Sequence, residues 1–306
     1  MKSLRRAKHG RLTFFLLVLL CPYAVIQAAE DKAFFWQVKS GTTTVYLMGS
    51  IHFADESFYP LRSEIEQAFE QSQHLAVELD ISKADQSAYQ TLLAQRGMFK
   101  TGTTIKDVIA DDTWQALRRQ LRKLNVDYDA VKTYKPGILV LTLSAVQAIQ
   151  LGFDPELGID AYFLGKANEQ TRKTPEKAVD IIELETMQQQ LSLFLDIPNG
   201  DLLLKESLYS LDESDQLMAD MVRLWKQGDE HGMNKLLFED AVEEYPAFAG
   251  IYDRLFYQRN QQMTEKIITM LSKKDVYFVV VGTGHLIGDR GIVGLLKEKG
   301  YDAKRR

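Results

Sequence analysis

Two stretches, one near each end of the chain, carry the same order of apolar and polar positions. Val45-Tyr46-Leu47-Met48-Gly49-Ser50-Ile51-His52-Phe53 and Phe278-Val279-Val280-Val281-Gly282-Thr283-Gly284-His285-Leu286 each run four apolar residues, Gly, a small hydroxyl residue, any residue, His and an apolar residue. Short apolar runs rich in β-branched and aromatic side chains predict buried strands. A Gly at the end of such a run lets the backbone turn tightly or approach another segment closely. Each copy therefore predicts a strand that delivers a histidine to the edge of a sheet. Two imidazoles presented alike from opposite ends of the chain suggest one shared site.

The remaining pattern is mostly helical. Phe34 to Lys39 and Thr43 to Met48 flank Ser40-Gly41-Thr42 and predict a β-hairpin. Pro60 suits the first turn of a helix to about Ser72, and His74 to Asp80 reads as a short strand ending in acids. Helical spacing follows at Ser82 to Gln95, Thr104 to Ile109, Asp111 to Leu124, Pro136 to Gln150 and Ile159 to Asn168, with Thr104 and Asp111 as natural N-caps and Gly152 as a stop. Ala178 to Ile182 reads as a strand before a helix from Glu185 to Leu195. Further helices are expected at Leu202 to Gln227, Gly232 to Ala241 and Ile251 to Leu271. After the strand Val276 to Val281 come a closing helix, Ile292 to Lys299, and a last short strand. The sum is an α/β (α+β) fold: a small mixed sheet formed from both chain ends, with a large helical insertion from about residue 82 to 250.

Composition changes this picture mainly at the N-terminus. Lys2, Arg5, Arg6, Lys8 and Arg11 precede an apolar run from Leu12 to Ile26 and then Gln27-Ala28-Ala29. That is the pattern of a secretory signal peptide over residues 1–28, with a run short for a membrane span, so export to a periplasmic or secreted location is expected. The alternative is an uncleaved N-terminal anchor. Cleavage would leave residues 29–306 as one domain with no stable membrane span. It would remove five basic side chains, taking the formal charge from −5 to −10, and the single cysteine, Cys21. Without thiols, stability must come from packing, and any metal must be bound by nitrogen and oxygen. No basic aromatic-studded tract argues for nucleic acid.

Among the histidines beyond residue 28, His231 sits in a polar turn and His74 opens a strand without a partner at ligand spacing. His52 and His285 are the candidate metal ligands. A catalytic divalent ion usually has about three protein ligands and an open position, so a carboxylate should complete the set. Glu78, at the end of an apolar strand, is the best candidate; the alternative is an acid at an exposed strand end. Asp80, two residues on, would share its face and could support it. Asp160 opens a helix, where capping or dipole stabilisation is the usual role. Arg259 could stabilise an oxyanion or form a helix-surface ion pair, with Asn260 beside it.

Taken together, Leu47 to His52, Glu78-Leu79-Asp80, Gly158-Ile159-Asp160, Leu184-Glu185-Thr186, Trp225 to Asp229, Arg259-Asn260 and Val281 to Leu286 resemble the TraB/GumN family, which includes the Tiki-type proteases. The resemblance implies a metal-dependent hydrolase, and a peptidase by analogy with Tiki members. Its site would combine His52, His285 and Glu78 with a divalent ion (Mn, Co or Zn), acting on a peptide or protein substrate. It also implies a fold similar to erythromycin esterase and the haem-binding ChaN proteins. That likeness keeps two alternatives open: a non-catalytic protein sequestering a peptide or haem, and a metal-independent His/Glu esterase.

Overall fold

The computed structural model describes residues 31–83, 86–212 and 214–306, so the expected signal peptide lies outside the described residues. Six strands form one sheet: β1 (Phe35–Lys39), β2 (Thr44–Ser50), β3 (His74–Val77), β4 (Asp180–Glu183), β5 (Val276–Gly282) and β6 (Ala303–Arg305). Their spatial order is β4-β3-β5-β2-β1-β6. The expected hairpin is present as antiparallel β1 and β2, and β6 pairs antiparallel with β1. The strand from the far end, β5, lies between β2 and β3, parallel to both, and β4 runs parallel to β3. Near-continuous apolar runs suit that interior position, where both faces of a strand are covered.

Helices cover the sheet. Phe69 of helix Ser63–Glu70 and Phe163 of helix Ile159–Lys173 pack on Phe278 of β5, with ring centroids 5.6 and 4.7 Å away. Buried Trp225 donates from Nε1 to the Gly49 carbonyl at 2.9 Å, tying helix Ser214–Gln227 to β2. No helix among the described residues is long and apolar enough to cross a membrane.

The parallel strands point their C-terminal ends the same way. Ser50 lies opposite Gly282, Val77 opposite Val280 and Glu183 opposite Val77. His52, Glu78 and His285 follow the ends of β2, β3 and β5, so all three emerge at one end of the sheet. Open parallel sheets bind ligands at that end.

Several boundaries differ from expectation. β3 stops at Val77, leaving Glu78 and Asp80 beyond the strand. The first helix begins at Ser63, with Pro60 outside it. Thr104 caps its short turn reciprocally with Asp107 as expected, but Ala110, not Asp111, caps the next helix. The strand expected at Ala178 to Ile182 within the insertion is present as β4, shifted to Asp180–Glu183 at the sheet edge. The two Gly-x-x-His motifs are also not presented alike. Gly49 pairs with Val281, one residue out of step, and β2 runs on to Ser50 whereas the chain after Gly282 turns into helix Thr283–Leu286.

One glycine fixes how the helical insertion meets the site. A Cβ at Gly158 would lie 2.3 Å from the His52 carbonyl oxygen and 3.2 Å from that of Pro155. Helix Ile159–Lys173 starts there, and Ile159 N–H donates to the Ile51 carbonyl at 3.2 Å. Gly158→Ala is therefore expected to destabilise the fold by about 1–3 kcal/mol through overpacking against backbone. Urea denaturation checks this, and an unchanged midpoint would contradict the close contact.

Candidate functional site

Glu78 is the hub. It is 8% exposed, and a buried carboxylate must find partners or remain neutral. Its Oε1 accepts from the Gly282 N–H at 2.7 Å; its Oε2 accepts from Arg259 Nη2 at 2.6 Å and Gln190 Nε2 at 3.2 Å. Burial alone would raise its pKa, but the two imidazoles, the Arg259 guanidinium and the Gly282 N–H hold it down, at about 2. The group is therefore a carboxylate across the physiological range.

His285 is buried, with Nδ1 2.6 Å from Asn260 Oδ1. The wholly buried Asn260 donates from Nδ2 to the Arg290 carbonyl at 2.9 Å, so its oxygen faces the ring. That fixes the tautomer: Nδ1 carries the hydrogen and Nε2 is the free lone pair. Nε2 lies 3.8 Å from Glu78 Oε1. Burial pushes the pKa of His285 down to about 4, against the pull of Glu78, so the ring is neutral near pH 7.

His52 is held by the opposite kind of partner. Its Nδ1 lies 3.1 Å from Asp160 Oδ1, which also accepts from Ser50 Oγ at 2.6 Å. Asp160 reaches the ring because Gly158 lets its helix begin against the His52 backbone. The Asp160 carboxylate raises the His52 pKa. Some 56% of the side chain is open to solvent, which screens part of that attraction. A Cβ on Gly282 would lie 3.3 Å from Glu78 Oε1 and 3.6 Å from His52 Nε2 and His285 Cδ2. The missing side chain thus leaves a small cradle on which both rings and the carboxylate converge.

Arg259 binds Glu185 through Nε at 2.8 Å and Nη2 at 2.5 Å, besides its bond to Glu78. Its Nη1 donates to the Leu255 carbonyl at 2.8 Å. The guanidinium is thus a clamp between two carboxylates rather than a helix-surface ion pair. Glu183 and Glu185 look in the sequence like helix-start residues, but Thr186 caps that helix. Glu185 is instead buried in the clamp, and Glu183 Oε1 accepts from the Asp80 N–H at 2.9 Å. Gln190 bridges Glu78 and Glu185 and carries no sequence signal of its own. Asp80 does not join the site, because alternation ends with β3 at Val77. It closes a turn on Ser82 and pairs with Lys83 at 3.0 Å. His74 stacks on Tyr277 and His231 is exposed, both apart from the cluster.

His52, Glu78, Asp160, Gln190 and Arg259 line one side of a cavity of about 560 Å³, and Leu79, Tyr89, Leu141 and Phe194 are among its apolar walls. His285 is not part of that wall.

The sequence profile of the TraB/PrgY/GumN family matches residues 34–305. The chain belongs to this family. It is similar to the uncharacterized protein YbaP of Escherichia coli, 25% identical over 84% of this chain and 89% of that protein. It is also similar to metalloprotease TIKI2 of Xenopus tropicalis, 24% identical over 91% of this chain and 61% of the relative. A metalloprotease TIKI homolog of Nematostella vectensis is 22% identical over 91% of this chain and 69% of its own length. No solved structure matches the chain.

For a TraB/PrgY/GumN member with such relatives, the fit of a metal ion is the central question. The donor chemistry suits one: each imidazole has Nδ1 engaged by an oxygen and Nε2 without a hydrogen-bond partner, the usual arrangement of ligating histidines. His285 Nε2 and Glu78 Oε1, 3.8 Å apart, are spaced as two ligands of one ion can be, since each would sit about 2.0–2.2 Å from it. Among the described residues, no three His, Cys, Asp or Glu groups are gathered closely enough to hold an ion as they stand. The donors fit a metal ion in kind.

The depressed pKa of His285 carries a pH signature. Between pH 6.5 and about 4 the unfolded chain binds a proton on this residue that the folded chain refuses. Its share of stability is complete above 6.5 and falls as the pH drops towards 4. His52, shifted upward, opposes this slope only at the top of the window, where its unfolded ring begins to lose its proton. His285→Gln should reduce the pH dependence of the urea midpoint there by up to one proton, and an unaltered slope would contradict the assignment.

Proposed function

We propose that this chain is an exported, divalent-metal-dependent hydrolase that cleaves peptide or protein substrates. The observation that carries the reading is the orientation of the two imidazoles. Asp160 and Asn260 hold the Nδ1 atoms, and both rings converge with the Glu78 carboxylate on the side-chain-free face of Gly282. The metalloprotease names of the Tiki relatives and the signal-like N-terminus support it.

In this reading His52, His285 and Glu78 hold a Mn, Co or Zn ion. The ion would supply an acidified water and a polarised carbonyl. Glu78 serves as ligand rather than general base: a base works best with a pKa near the operating pH, and Glu78 is held far below it. Arg259 positions Glu78 and, committed to two carboxylates, has little left for an oxyanion. Asp160 makes the His52 ring a stronger donor, while Asn260 keeps His285 in the tautomer that leaves Nε2 free.

One observation favours a second reading. His52, Asp160 and Ser50 form a hydrogen-bonded cluster at the cavity wall, which suits metal-independent hydrolysis with the protonated His52 ring as general acid. Activity that survives exhaustive chelation would select it. Tight peptide binding with no product would select a sequestering role.

His52→Ala and His285→Ala are each expected to abolish metal-dependent hydrolysis in a peptide-digest assay while leaving the circular dichroism spectrum unchanged. Asn260→Ala, which frees the His285 ring, should cost about 10–100-fold in activity or metal affinity. Undiminished hydrolysis by either histidine variant would sink the proposal.

A further inference from the structure

The polar site occupies only one side of its cavity, and a second, apolar cavity adjoins its apolar wall. This one measures about 320 Å³ and shares Tyr89 and Leu141 with the first. Leu93, Met98, Ile138 and Ala145 are among its further walls. A wide helical turn at Leu93–Gly97 and helix Pro136–Gln150 form two of its sides. Gly97 brings them together, since a Cβ there would meet Ile138 Cγ1 at 2.8 Å.

The exposed apolar residues follow the same line. Ile81 lines the main cavity and Met98 the apolar one, and both are among the few large hydrophobic side chains exposed on the described residues. Exposed apolar surface gathered along adjoining cavities marks a binding site more than scattered residues do. A third cavity of about 220 Å³ adjoins the main one at Phe194 and is lined by exposed Val108. Separate small cavities adjoining one polar centre suit side chains spaced along a polymer better than one long acyl tail. A volume of 320 Å³ is near the lower end of ligand clefts, which span about 300–1,000 Å³. It has room for one large side chain.

We propose that the cavity between Tyr89, Met98 and Ala145 is a specificity subsite that takes an apolar side chain of the peptide, near the bond to be cut, of leucine or phenylalanine size. This rests on the reading of the neighbouring polar site as peptide-cleaving. Ala145, on the helix wall, and Met98, at the rim, line this cavity but not the one holding Glu78, so changing them spares the proposed chemistry.

The test is binding, kept separate from cleavage. Fluorescently labelled octapeptides of Gly and Ser carrying one central Phe or one central Ala are titrated into the full chain with chelator present, read by anisotropy. The Phe peptide should bind about tenfold or more tighter than the Ala peptide, as burial of an aromatic side chain predicts. Ala145→Phe, which fills the cavity, and Met98→Glu, which charges its rim, should each cut that preference to less than twofold. Equal binding of the two peptides, binding of neither, a preference that survives both variants, or displacement of the Phe peptide by laurate at lower concentration would each overturn the subsite. A peptide that shows the preference but is never cut when metal is restored leaves the subsite standing and removes the hydrolase. Cleavage without the preference does the reverse.

Discussion

The structure depends on how it carries one buried charge. Glu78 follows β3 at the end of the sheet, where an unpaired carboxylate would cost several kcal/mol. Its compensation comes from β5 through the Gly282 N–H, from helix Gln258–Leu271 through Arg259, and from helix Met187–Leu195 through Gln190. Arg259 is in turn fixed by Glu185 at the end of the β4 segment. Satisfying this one carboxylate therefore demands that segments from three distant parts of the chain be in place. The sheet order with β5 between β2 and β3 meets that demand and brings His52, Glu78 and His285 out at one end of the sheet.

The two histidines resemble each other in sequence and differ in environment. A carboxylate raises the basicity of His52, which stands open to solvent, while a carboxamide and burial keep His285 neutral. One ring thus presents a buried lone pair fixed by Asn260, and the other stands exposed and is held by Asp160. Such a division gives the site one buried, neutral imidazole and one exposed imidazole paired with a carboxylate. Family membership fixes the fold but does not by itself fix a reaction.

Much of this was legible in the chain. The apolar runs before Gly49 and Gly282 announced the paired central strands, and His52, His285, Glu78, Asp160, Arg259 and Asn260 all fall in or around one cluster. What failed did so for local reasons. Asp80 was placed beside Glu78 by strand alternation, but the strand ends three residues earlier and its turn points Asp80 at Ser82 and Lys83. Glu185 looks like a helix-start acid, because an acid before a helical run usually serves the helix. Its real signal was the apolar run Ile181-Ile182 and Leu184 before it, parallel to Leu75-Ala76-Val77 before Glu78. Gln190 was invisible, since its role exists only once two distant carboxylates meet. The mismatch in how the two glycine motifs are presented was equally hidden, because strand register follows from the pairing and not from either strand alone.

The account stands most directly on whether one ion bridges the two ends of the chain. Chelator-stripped protein titrated with Co²⁺ and followed by visible absorption reports nitrogen and oxygen ligation without reference to any substrate. The account predicts one saturable equivalent, lost in both His52→Ala and His285→Ala and kept in His74→Ala and His231→Ala. Saturation that survives in either of the first two variants, or no saturable binding in the unaltered chain, would contradict it.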